Sequence, residues 1–133
     1  MLRKLMRGKI HRAVITQCDP DYVGSITIDA ELLAATGIRP NEAVHVLDID
    51  NAVRFETYVI LGEPGSGIIG VTGAAAKLVE TGHRVIIIAY GLLTEAEIDD
   101  HVAKVVVCDE DNRIEQRLDY ASRLPSLDEV HPG

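Results

Sequence analysis

Arg84-Val85-Ile86-Ile87-Ile88-Ala89-Tyr90 is apolar at both parities and rich in β-branched residues, so it reads as a short strand at the centre of a core. The segments on either side are also short. Toward the N-terminus, Gly73 to Val79 reads as a short helix ending near Gly82, and Ile68 to Val71 as a strand. Val53 to Leu61 and Ala43 to Ile49 are strands joined across Asp50-Asn51-Ala52, which has the length and composition of a hairpin loop. Toward the C-terminus, Thr94-Glu95-Ala96-Glu97 has capping-box spacing for a helical turn through Ile98, and Val102 to Cys108 is the last expected strand. Many short strands separated by turns predict a mainly β fold, a small closed barrel with short helices, because closure removes exposed strand edges.

The first third completes this pattern. Lys9 to Thr16 reads as a strand whose alternation sets Lys9, His11 and Ala13 on one face and Ile10 and Val14 on the other. Asp19-Pro20-Asp21 is a turn, and Ser25 to Ile28 a second strand. Asp29 is placed to cap a helix through Leu32-Leu33-Ala34-Ala35 that stops at Gly37, before a turn at Arg39-Pro40-Asn41-Glu42. The domain is expected to span 1–113. From Ile114 to Gly133 the chain is charged with little apolar periodicity and is expected to be a loosely ordered tail.

Composition narrows the function. A chain of 133 residues, 47% apolar, supports one core. A net charge of −8 without Lys/Arg clusters argues against a nucleic-acid surface, which needs a basic patch. Met1 to Arg7 is charged but precedes no apolar leader, and no apolar run reaches membrane-spanning length, so a cytoplasmic protein is expected. Cys18 and Cys108 form no CxxC and are expected to be reduced. The five histidines show no metal-ligand spacing, so no metal is expected. Gly65-Ser66-Gly67-Ile68-Ile69-Gly70 matches GxGxxG, but Glu63-Pro64 precedes it, strand-like residues follow it, and the required acidic position falls at Arg84-Val85; it reads as a surface loop rather than a nucleotide site.

The dipeptide Gly-Ser occurs twice, at Gly24-Ser25 and Gly65-Ser66. Only the first stands where a turn-prone stretch runs straight into a strand. Around it, Lys9 and Arg54 are two cations in an acidic chain, able to serve a dianion. Gly73-Ala74-Ala75-Ala76 offers unobstructed backbone N–H groups at a helix start. Arg54 and Tyr58 share a strand face, whereas strict alternation points Thr57 the other way; joining Thr57 to Tyr58 requires a bulge or a site on the strand edge.

Together, Gly8-Lys9-Ile10-His11-Arg12, Tyr22-Val23-Gly24-Ser25, Arg54-Phe55-Glu56-Thr57-Tyr58 and Gly73-Ala74-Ala75-Ala76 resemble the aspartate 1-decarboxylases, pyruvoyl-dependent enzymes that make β-alanine for pantothenate. The likeness runs from roughly Leu2 to Asn112. It implies a double-psi β-barrel, a homotetramer with sites between subunits, and self-cleavage between Gly24 and Ser25 into 1–24 and 25–133. In that chemistry the Ser25 hydroxyl attacks the Gly24 carbonyl carbon, converting an amide to an ester. β-Elimination then frees the 1–24 piece and leaves dehydroalanine, and hydrolysis with loss of ammonia gives a pyruvoyl group. Such a ketone forms a Schiff base with the substrate amine and serves as an electron sink.

The resemblance further implies roles for named residues. Thr57 donates to the cleavage oxyanion and contacts substrate, Tyr58 returns the proton as general acid, and Lys9 and Arg54 bind the two carboxylates of L-aspartate. Backbone of Gly73, Ala74 and Ala75 completes the pocket, with His11, Tyr22 and Thr72 supporting it. Three positions depart from the family's usual residues: Thr72 replaces Asn, Asp21 replaces His and Lys77 replaces His. Slower or incomplete cleavage is the expected consequence. The alternatives are a pyruvoyl decarboxylase of another amino acid, or a non-catalytic β-barrel binding or assembly module.

Overall fold

The computed structural model describes residues 1–126. The chain is mainly β: β1 (Arg3–Val14), β2 (Gln17–Asp19), β3 (Ser25–Asp29), α1 (Ala30–Thr36), β4 (Ala43–Asp48), β5 (Arg54–Gly62), β6 (Ile69–Thr72), a 3-10 turn (Ala74–Lys77), β7 (Arg84–Leu93), α2 (Glu95–Ile98), β8 (Val102–Cys108) and β9 (Ile114–Ala121). Lateral order is β2-β6-β3-β5-β4-β7-β1-β8-β9. Only Ile15 and Thr16 separate β1 from β2, and the Thr16 N–H donates to Ile69 O at 2.8 Å. The first two strands are therefore one bent stave, 3–19, that pairs with β7 and β8 at one end and β6 at the other, closing the ring. Parallel pairs (β1 with β8, β2 with β6, β3 with β5) are set among antiparallel ones, a mix consistent with the double-psi β-barrel that the motifs imply.

Strand alternation fills the interior. Val85, Ile87 and Ala89 of β7 point inward with Ile10, Ile26, Ile28, Val44, Val46 and Val59, all essentially without solvent contact. The central strand expected to be buried on both faces is buried on one; Ile86, Ile88 and Tyr90 on its other face are half-buried. Capping follows the chemistry read from sequence. Asp29 accepts from the Glu31 N–H and opens α1, Gly37 closes it in the left-handed conformation, and Thr94 and Glu97 form a reciprocal capping box on α2.

Two further expectations need correction. Strict alternation along β1 fails, because the register shifts between Ile10 and Ala13 and Arg12 takes φ 64°, a bulge that turns Ala13 inward beside Ile10 rather than outward with Lys9 and His11. The loose tail predicted from Ile114 instead begins with β9, paired antiparallel to β8 from Val102↔Ala121 to Cys108↔Ile114. This strand lies outside the ring and is mostly exposed, so it carries little apolar alternation to read. The part of the predicted tail at 127–133 lies outside the described residues.

Candidate active site around Gly24 and Ser25

The third residue of the short parallel strand β2, Asp19, and the first of β3, Ser25, both pair with Thr72 at the end of β6. Residues 20–24 must therefore arch over that strand end. Tyr22 and Val23 on the arch are 70% and 78% exposed, whereas Ser25 is only 6% exposed. The Thr72 hydroxyl donates to the Val23 carbonyl at 2.5 Å, and the Ser25 and Thr72 hydroxyl oxygens lie 3.1 Å apart. A hydroxyl has one hydrogen, so with Thr72 committed to a carbonyl that can only accept, Ser25 is the donor in the second bond. Gly73 lies directly against Gly24: a Cβ at Gly73 would collide with the Gly24 backbone, and its φ of 78° independently favours glycine.

Thr57 and Tyr58 are resolved by an edge, not a bulge. β5 pairs with β4 through Tyr58 and with β3 from Val59 onward, with no register shift in either ladder. Because β3 begins at Ser25, the edge of β5 facing the arch is open at Thr57 and Tyr58. Extending the parallel Ile26↔Val59 register backward sets Ser25 beside Tyr58 and Gly24 beside Thr57. Both side chains are half-buried there.

The two cations are not brought together within one chain. Lys9 pairs with Ile88, Ile88 with His45, and His45 with Glu56, so Lys9 and the Arg54 strand are three strands apart, about 14 Å at the usual inter-strand spacing. Arg54 is held locally: its Nη2 lies 3.0 Å from His45 Nδ1 and donates to the Tyr90 hydroxyl at 3.3 Å. Sequence reading missed His45 and Tyr90; the readable signal was His45 facing Glu56 across the β4–β5 hairpin.

At the 3-10 turn the Gly73 N–H donates to Asp19 O at 2.9 Å, so the Ala74 and Ala75 amides are the donors left at its start. His11 sits at the β1 bulge with its Nδ1 buried and unpartnered. Burial, and then the Lys9 and Arg12 charges, hold its imidazole below the ordinary value, favouring the neutral ring. Elsewhere, burial pushes the Cys108 thiol up to about 12, so it is an inert core thiol, and both cysteines are unpaired. Asp48, Asp50 and His83 gather at the β4–β5 turn with donor atoms within 4.8 Å. Asp48 already accepts from the Asp50 and Asn51 amides and from His83 Nδ1 at 2.7 Å, an ion pair with an Asx turn. The GxGxxG amides are likewise engaged: Gly65 and Gly67 N–H groups donate to the two carboxylate oxygens of buried Asp29 at 3.0 and 2.8 Å.

Comparison with known proteins points in one direction. The family model described as aspartate decarboxylase matches residues 1–115. An aspartate 1-decarboxylase of Listeria monocytogenes serovar 1/2a is 51% identical over 118 residues, covering 89% of this chain and 93% of that one. One from Caldicellulosiruptor saccharolyticus is 54% identical over 114 residues, covering 86% and 89%. Among solved structures, the rationally designed protein mkDPBB_sym1 is similar with a TM-score of 0.45 and 23% identity, covering 64% of this chain and 96% of that chain.

Proposed function

Since this chain belongs to the aspartate decarboxylase family, we propose that it converts L-aspartate to β-alanine and CO2, supplying pantothenate synthesis in the cytoplasm, after cutting itself between Gly24 and Ser25. The observation that carries the reading is the arch: an exposed peptide feeding a buried serine whose hydroxyl is held by Thr72. Among the described residues no helix is long and apolar enough to cross a membrane.

Ser25 fits the role of cofactor precursor. Its backbone pairing to Thr72 belongs to the 25–133 piece, so a new chain end formed there stays anchored when the arch is severed. Cleavage begins when Ser25 Oγ attacks the Gly24 carbonyl carbon, a step that is uphill unless the oxyanion meets a fixed donor. Thr57, opposite Gly24 on the open β5 edge, is that donor. The Gly73 contact limits how far Gly24 can withdraw, and Thr72 orients the attacking oxygen. The pyruvoyl ketone derived from Ser25 supplies an electron sink for the charge left when CO2 departs.

Around it, Lys9 and Arg54 neutralise the two substrate carboxylates, the Ala74 and Ala75 amides complete the anion site, and the Tyr58 hydroxyl delivers a proton to the carbon that lost CO2. The separation of Lys9 from Arg54 within one chain supports sites shared between subunits of a homotetramer, where Lys9 of one subunit approaches Arg54 of another. Exposed Tyr22 and Val23 beside the cut supply apolar surface for such a contact.

Intact mass and aspartate turnover test the proposal together. The expected result is a 1–24 fragment, a 25–133 fragment whose first residue lacks its amine, and CO2 release from aspartate in preference to glutamate. A single uncut chain after prolonged warming, with no turnover, overturns it.

A further inference from the structure

On the outward face of the barrel, Arg54 is contacted by residues to which the proposed reaction gives no role. Glu56, His45 and Arg54 lie on neighbouring β4 and β5 positions, and Tyr90 stands next to them on β7. Arginine has donors and no acceptor, so the 3.0 Å approach of Arg54 Nη2 to His45 Nδ1 requires a lone pair on Nδ1. The imidazole proton then sits on Nε2, which faces the Glu56 carboxylate at 3.7 Å, a charge contact longer than a hydrogen bond. The same Arg54 nitrogen donates to the Tyr90 hydroxyl at 3.3 Å, and the Tyr90 ring meets the His45 ring edge-on at 5.2 Å.

We infer that His45 and Tyr90 are positioning residues that fix the Arg54 guanidinium for one substrate carboxylate, and that His45 does so only as the neutral imidazole. The inference rests on the reading of Arg54 as a carboxylate clamp. Both contacts fall on Nη2 of an exposed side chain, and among the described residues no hydrogen bond to protein falls on Nη1 or Nε. Fixing the head group removes rotamer freedom before substrate arrives, which lowers the cost of binding. Protonation at Nδ1 would replace the acceptor with a donor facing a cation and release the guanidinium. The groups that face His45 are Arg54 and Glu56 from β5 and Tyr90 from β7, with the Lys4 ammonium 4.8 Å from the Tyr90 ring centroid on the β1 side.

The test uses the self-processed protein and three variants, each confirmed as cleaved by intact mass. His45→Ala is expected to raise KM for aspartate about five- to tenfold, the scale of a lost hydrogen bond to a charged group at a half-open site, with kcat changed less than about twofold. His45→Gln keeps an acceptor for the guanidinium, so its KM should stay close to that of the wild type. Tyr90→Phe should raise KM about twofold. In parallel, imidazole ¹⁵N shifts should show His45 with an unprotonated, hydrogen-bonded Nδ1 that changes in Arg54→Ala. An unmoved KM in His45→Ala, a KM in His45→Gln raised as far as in His45→Ala, or an Nδ1-protonated ring each overturns the inference. Absence of aspartate turnover in cleaved wild-type protein instead overturns the reading of Arg54 on which it stands, and the ¹⁵N shifts still decide the contact.

Discussion

The same dipeptide is put to opposite uses at Gly24-Ser25 and Gly65-Ser66. At the second site, Gly65 and Gly67 adopt φ values of 75° and 71°, their amides close on the Asp29 carboxylate, and the Ser66 hydroxyl donates to Glu63 O at 2.6 Å. That loop is a finished structural unit: its anion is internal and Asp29 is 1% exposed. At the first site the peptide before the serine is exposed, the serine is buried, and its hydroxyl is held by a neighbour that also grips the arch. What separates the two sites is where the polar partners stand, not the dipeptide itself.

The largest effect that could break this contrast comes from the serines themselves. Ser25→Ala should leave the chain whole by intact mass and abolish aspartate turnover, while Ser66→Ala should cleave and turn over as the wild type does. Next comes the anion of the structural loop. Asp29→Ala strips an acceptor from the Glu31, Gly65 and Gly67 amides and should cost about 3 kcal/mol, the scale for losing several charge-assisted bonds at a buried site. Urea unfolding of the Ser25→Ala background measures it without interference from cleavage.

A smaller effect sharpens the role of Thr72. Thr72→Val removes the hydroxyl between Val23 and Ser25 and should slow cleavage about tenfold or more, whereas Thr72→Ser should cleave at close to the wild-type rate. The time course is read by mass, and equal rates for all three chains would remove Thr72 from the argument.

The smallest effect concerns the other buried carboxylate. Asp48 shares its charge with His83, whose hydrogen bond to that carboxylate raises the imidazole above its ordinary value of 6.5. A raised folded-state value means the unfolded chain releases its proton first as pH rises. The stabilisation is fully present below 6.5 and is lost as pH climbs through the raised value. Unfolding midpoints across neutral to mildly alkaline pH should fall more in the wild type than in His83→Gln; parallel curves would exclude the ion pair as a contributor. Asp29, served by amides, has no comparable dependence on a histidine.

The sequence made the barrel legible wherever one face of a strand met the core: β3, β4, β6 and β7 alternate or run apolar as expected, and the Asp29, Gly37 and Thr94 caps stand where their side chains dictate. It failed where local pattern and tertiary setting part. The Arg12 bulge leaves no compositional trace, since arginine at positive φ is not foreshadowed by its neighbours. β9 lies outside the ring with only Ile114 and Leu118 partly covered, so its strand character comes from pairing with β8 rather than from a buried face. Near Gly24, alternation opposed Thr57 to Tyr58. The edge that reconciles them exists because β3 starts at Ser25, a fact of pairing between strands distant in sequence. His45 and Tyr90 were passed over for the same reason: their meaning lies in the Arg54 side chain between them.

The bent stave 3–19 closes the ring, and the proposed cut lies five residues beyond its end. Severing Gly24 from Ser25 would therefore not release a propeptide; it would leave β1 and β2 as a separate 24-residue chain wedged between β6, β7 and β8. Before the cut, unfolding is a unimolecular event. After it, the barrel would be a non-covalent complex of two polypeptides, and regaining the native state would become a second-order encounter governed by mass action. Maturation would thus exchange reversibility for chemistry: the mature protein should melt at a temperature that falls on dilution and refold poorly after denaturant, while the uncut Ser25→Ala chain recovers independently of concentration in its barrel-forming step.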